Sequence, residues 1–109
     1  MHSDASNGIV AALAALDAPV RDMLAEDLPQ QLATVREALD AGDLARARLD
    51  VHAVRGSAAF CKLAGLYDAA AALETSLLNN EKNAEKTRAF QNNIENILHA
   101  LEHAKTTDG

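Results

Sequence analysis

The stretch that decides the fold is Leu44-Ala45-Arg46-Ala47-Arg48-Leu49-Asp50-Val51-His52-Ala53-Val54-Arg55-Gly56-Ser57-Ala58-Ala59-Phe60-Cys61. Within it Leu44, Ala47, Val51, Val54, Ala58 and Cys61 recur at steps of three and four. That is the apolar seam of a helix packed against other helices. Just before it, Gly42 suits a helix end and Asp43 suits the cap of the next helix. The same rhythm continues on both sides. Upstream, Val20, Met23, Leu24, Leu28, Leu32, Val35 and Leu39 predict a helix over about 19–41. Pro19 sits in its first turn, where a missing N–H costs nothing. Pro29 predicts a kink and not a break, because the stripe keeps its phase across it. Downstream, a turn around Lys62–Gly65 precedes Leu63, Leu66, Ala70, Leu73 and Leu77, which predict a helix over about 63–79. Asn79-Asn80 closes it. Asn83 then caps a last helix over about 84–104, with Thr87, Phe90, Ile94, Ile97, Leu98 and Leu101 on one side. A shorter helix over 8–17, with Ile9, Leu13 and Leu16, precedes all four.

Composition agrees with this pattern. The 109 residues include 24 Ala and many Leu, Glu, Gln and Arg, all strong helix formers, and no strand signal. The expected fold is all-α: an antiparallel four-helix bundle with a short additional N-terminal helix capping one end. One domain is expected over 8–104, with 1–7 and 105–109 as disordered tails. A single Cys excludes an internal disulfide framework and suits a reducing compartment. Cys61 lies on the inner stripe and reads as a small core residue. No apolar run approaches the ~20 residues of a membrane span, and Met1-His2-Ser3-Asp4 does not read as a secretion signal. A net charge of -6 and 3% aromatics argue against nucleic acid as a partner. His99 and His103 share a zinc-compatible spacing but lack a third ligand, so they read as exposed polar positions and no metal is expected.

A helical bundle says nothing about function by itself. The informative residues are those around His52. This histidine lies one position off the inner seam, so its ring is expected at the bundle edge. Arg55 and Gly56 follow by three and four residues, on the same face. Gly56 stands mid-helix, where glycine costs about 1 kcal/mol relative to Ala. A glycine there suits a site that something else must approach closely. Residues 46–62 hold Arg46, Arg48, Arg55 and Lys62 against the single acid Asp50, a net +3, which leaves -9 on the rest. A basic patch around a histidine suits a phosphoryl group on the imidazole. The competing reading is a half-buried histidine among solvated charges.

The stretch His52-Ala53-Val54-Arg55-Gly56-Ser57-Ala58 resembles the His-x-Leu-Lys-Gly-Ser/Ala-Ser/Ala motif of histidine-containing phosphotransfer domains from multistep two-component signalling. Met23–Pro29 and Ala38–Asp43 also look like that family's second helix and following turn. The resemblance covers about residues 8–104. It departs at Arg55, where Lys is usual, at Val54, where Leu is usual, and at Lys62, where Gly is common.

The resemblance implies a phosphorelay intermediate. His52 would accept a phosphoryl group from a receiver-domain aspartyl phosphate, or from a kinase, and pass it to a response-regulator receiver. Histidine can offer a neutral ring nitrogen at physiological pH. Glu74 falls where many members carry Gln or Glu, and is the candidate for holding the second ring nitrogen. Arg55 would steady phosphoryl oxygens, Gly56 would leave room for the partner, and Ser57 and Lys62 would support the site. No phosphate-binding glycine loop is present, so the chain is expected to be a carrier and not an enzyme, with no cofactor and with metal supplied by the partner. Implied partners are receiver domains and a hybrid sensor histidine kinase, with specificity carried by Arg48, Ala59 and Tyr67. Phe60 and Tyr67 read chiefly as packing residues. The expected state is a cytoplasmic monomer without direct membrane contact, free or as the C-terminal domain of a membrane-bound hybrid kinase. Two other readings stay open: a docking module that regulates a receiver or an enzyme without transfer, and a dimerising bundle.

Overall fold

A computed structural model describes the backbone of residues 3–108 and the side chains of residues 8–103. Five helices follow in order: α1 (Ser3–Ala14), α2 (Ala18–Asp40), α3 (Leu44–Phe60), α4 (Ala64–Leu78) and α5 (Ala84–Asp108). The described residues contain no strand. α2 packs on α3, α3 on α4, α4 on α5, and α5 back on α2, while α1 lies against α5. The all-α bundle with an extra N-terminal helix is therefore the observed architecture. Among the described residues no helix is long and apolar enough to cross a membrane.

Both outer helices are longer than the periodicity predicts. α1 begins at Ser3 and not at 8, and α5 continues to Asp108 and not to 104. Helical backbone thus occupies 3–7 and 105–108, where tails were expected. Apolar spacing marks where a helix is buried, and a helix can continue past its last buried turn. Met1, His2 and Gly109 lie outside the described residues.

The expected seams form the core. Leu24, Leu28, Val35, Val51, Val54, Leu66, Leu73, Phe90, Ile94 and Ile97 are all fully buried. Cys61 is buried with them, and that burial pushes its thiol pKa up. Met23 departs from the expected stripe and is 41% exposed. Its neighbour Leu24 takes the inward position, and the turn of about 100° between consecutive helical residues carries Met23 to the edge of the buried face. α2 runs through Pro29 as one helix. At its start, Arg21 Nη1 donates to the Leu13 and Leu16 carbonyls at 3.2 and 2.6 Å. It thereby gives the Leu16 carbonyl, just past the end of α1, a donor and shares the Leu13 carbonyl with Leu16 N–H.

Three turns share one geometry. After α2, Asp43 N–H donates to the Ala38 carbonyl and Gly42 N–H to Leu39. After α3, Leu63 donates to Ala58 and Lys62 to Ala59; after α4, Glu81 donates to Ser76 and Asn80 to Leu77. Each is a Schellman motif with a left-handed residue just past the helix. That residue is Gly42 at φ 76°, Lys62 at φ 58° and Asn80 at φ 59°. The Lys62 departure therefore falls at a position whose backbone favours glycine.

Candidate functional site

α3 places His52 immediately after the buried Val51. The helix turn carries its ring out of the core, leaving the side chain 54% exposed. α4 brings Glu74 against it from the neighbouring helix. Nδ1 of His52 lies 2.7 Å from Glu74 Oε2. The Glu74 side chain is only 11% exposed. Arg55, one turn beyond His52, sets Nε 3.1 Å from Glu74 Oε1 and Nη2 3.4 Å from His52 Nδ1. Its guanidinium also lies over the Tyr67 ring, 5.9 Å from the centroid. The ion pair is close but off-line for a hydrogen bond, since Oε1 has no hydrogen-bond partner.

The chemistry follows from these distances. An ionised carboxylate only accepts hydrogen bonds, so the 2.7 Å contact requires the proton on Nδ1. Nδ1 cannot then accept from Arg55, and the 3.4 Å approach is proximity and not a second bond. In the neutral ring the lone pair falls on Nε2. Among the described residues Nε2 has no hydrogen-bond partner. The carboxylate also faces any positive charge that develops on the ring when Nε2 forms a bond. A carboxylate this buried is costly unless paired, and such pairs are weak sources of stability.

The structure brings together His52, Arg55 and Glu74. Gly56 lies exposed one turn from His52, and a Cβ built on it meets nothing within 4 Å. Its place is open to an external group, and no internal contact demands glycine. Ser57 is half-buried on α3. Lys62 is ten residues from His52, about 15 Å along the helix direction. It borders instead a small cleft with Gly8, Ile9 and Ala12 of α1. The structure does not bring it to the imidazole. Arg55 faces Glu74 rather than standing free for an anion.

Sequence reading missed a second apolar stripe. Leu49, Ala53, Gly56 and Phe60 are all exposed, Phe60 by 76%. They recur at steps of four, three and four, opposite the buried seam. Phe60 and Tyr67, expected to pack, are exposed at the surface, Tyr67 under the Arg55 guanidinium. The signal was present in the spacing, but the inner seam had already accounted for the helix. Elsewhere, the His99 and His103 rings meet edge-on with centroids 4.7 Å apart. Among the described residues no three His, Cys, Asp or Glu side chains gather as metal ligands.

A family model described as the Hpt domain matches residues 19–104. Comparison with curated proteins and with solved structures gives no match.

Proposed function

The chain belongs to the Hpt domain family, whose members are phosphocarrier modules of phosphorelay signalling, and on that premise we propose that His52 is its phosphoacceptor. The observation that carries this reading is the 2.7 Å contact between Nδ1 and the buried Glu74 carboxylate, with the rest of the ring facing solvent. The Nε2 lone pair attacks the phosphorus of a receiver aspartyl phosphate. The N–P bond forms, the bond from phosphorus to the acyl oxygen breaks, and the receiver's carboxylate leaves with the electron pair. Nδ1 keeps its proton. Glu74 balances the positive charge left on the ring, much as a buried carboxylate supports a catalytic imidazolium. The reverse step hands the group to a second receiver.

Arg55 acts first as a positioning residue, paired with the Glu74 carboxylate oxygen that the ring does not engage. Gly56 leaves space for the partner's active site, and Ser57 lines the same helix edge. The exposed stripe of Leu49, Ala53, Gly56 and Phe60 supports docking of a receiver domain or of a hybrid kinase over His52. An apolar centre of this kind, near charged neighbours, is how transient interfaces are commonly built.

The test is phosphoryl transfer from a labelled receiver aspartyl phosphate to this chain and to His52→Gln. The expected result is acid-labile, base-stable label on the parent alone. Label of equal amount on His52→Gln would refute the assignment. No label on either folded protein, with receiver binding intact, would favour the docking module that regulates without transfer.

A further inference from the structure

A second charged feature lies on the opposite side of the bundle. α3 and α4 carry His52 and Glu74, and the groove across the helix ring from them is the one between α2 and α5. That groove holds a cleft of about 470 Å³, lined by Arg36, Leu39 and Asp40 of α2, by Lys82, and by Ala84, Thr87, Arg88 and Gln91 of α5. Its volume falls in the range of small-ligand sites. Three cations face one carboxylate there, a net +2 on a chain whose total is -6.

Among the described residues, Arg36, Lys82, Arg88 and Asp40 form no ion pair or side-chain hydrogen bond. The wall also includes the first turn of α5. Asn83 Oδ1 accepts from Lys86 N–H at 3.0 Å. The N–H groups of Ala84 and Glu85 have no hydrogen-bond acceptor among the described residues. Two guanidinium forks, an ammonium and free amides at the positive end of a helix form a donor set matched to phosphoryl oxygens. Two arginines on separate helices, a lysine and the helix end offer more donors than one orthophosphate has oxygens, and a ligand with two adjacent phosphates brings both more oxygens and more negative charge to them.

We propose that the α2/α5 cleft is a binding site for a ligand with two adjacent phosphates, such as pyrophosphate or a nucleoside diphosphate. The site neither includes nor needs His52. A nucleoside diphosphate would lay its non-phosphate part along Leu39, Thr87 and Gln91. Because Arg36 and Arg88 stand on different helices, the ligand would clamp α2 to α5 on the side away from the docking stripe.

The test is titration of the full chain with pyrophosphate, ADP and orthophosphate near 0.15 M salt, where weak surface charge effects are screened. Binding is read by backbone amide shifts and by melting temperature. The expected result is saturable shifts confined to residues 36–40 and 82–91, with pyrophosphate or ADP binding at least about tenfold tighter than orthophosphate. Arg36→Gln with Arg88→Gln, helical content unchanged, should lose this binding, whereas Arg46→Gln and His52→Gln should keep it. Tighter ADP than pyrophosphate would identify a nucleotide ligand; the reverse would identify the bare diphosphate. Shifts spread over all basic residues, no saturation, or binding retained by the double variant would overturn the proposal.

Discussion

The two faces of α3 are made of similar residues and do opposite things. On the inner face Ala47, Val51, Val54 and Ala58 are buried against the other helices. On the outer face Leu49, Ala53, Gly56 and Phe60 are exposed, and none of the described residues covers them. Removing apolar area from the inner face costs the fold; the outer face contributes little to it. A helix that is apolar on two sides has one side for its own core and leaves the other for a partner. His52 lies at the boundary, where Glu74 can reach it from the neighbouring helix and a partner from solvent.

The sharpest way to break this comparison uses adjacent positions. Val54→Asp would bury an unpaired carboxylate and cost about 4 kcal/mol or more, close to the whole stability of a small domain. Ala53→Asp, one residue away, should stay within about 0.5 kcal/mol. Denaturant melts of the pair decide it, and equal losses would mean the outer face is also core.

Next in size is Glu74→Ala. Without the carboxylate the proton is free to sit on either ring nitrogen, and transfer to His52 should slow by about 10²-fold. Nitrogen chemical shifts of the imidazole should report the mixed tautomer, a readout that a purely structural role would not move. An unchanged tautomer with unchanged rate would remove Glu74 from the mechanism.

Phe60→Ser comes third. It should weaken receiver binding by about 1–2 kcal/mol while leaving the melting temperature unchanged, as expected for an exposed anchor and not for a core residue. Loss of thermal stability instead would place Phe60 with the inner face.

Lys62→Gly should stabilise the chain by about 1 kcal/mol, because it removes a side chain from a left-handed backbone position. The melting temperature should rise by roughly 4–8 °C. A fall would show that the Lys62 side chain contributes more to the α1 cleft than its backbone costs. The smallest effect concerns Cys61. Its raised thiol pKa means the folded chain keeps a proton that the unfolded chain has lost at alkaline pH. Stability should therefore decline as pH rises through and above the ordinary thiol range, and Cys61→Ala should flatten that decline in pH-dependent melts.

The turns show how far sequence reading reaches. Gly42 announced its turn, and the structure bears it out at φ 76°. Lys62 and Asn80 adopt the same geometry, yet a lysine carries no local signal for it. There the turn is imposed by the helices on each side, which bury Ala58 and Leu63 across it. Local propensity yields when packing on both sides outweighs the strain of one residue.

The sequence by itself determined the number of long helices, their buried faces, and the exposed edge on which His52 lies, because a 3.6-residue period fixes which side chains share a face. It also carried the motif through His52, Arg55 and Gly56. Only the tertiary structure decided that Glu74, twenty-two residues away, meets Nδ1, that Arg55 faces this carboxylate, and that Lys62 stands clear of both. Spacing along one helix carries no information about the rotation and height at which its neighbour packs. Those are set by how side chains from all the helices fill a common core.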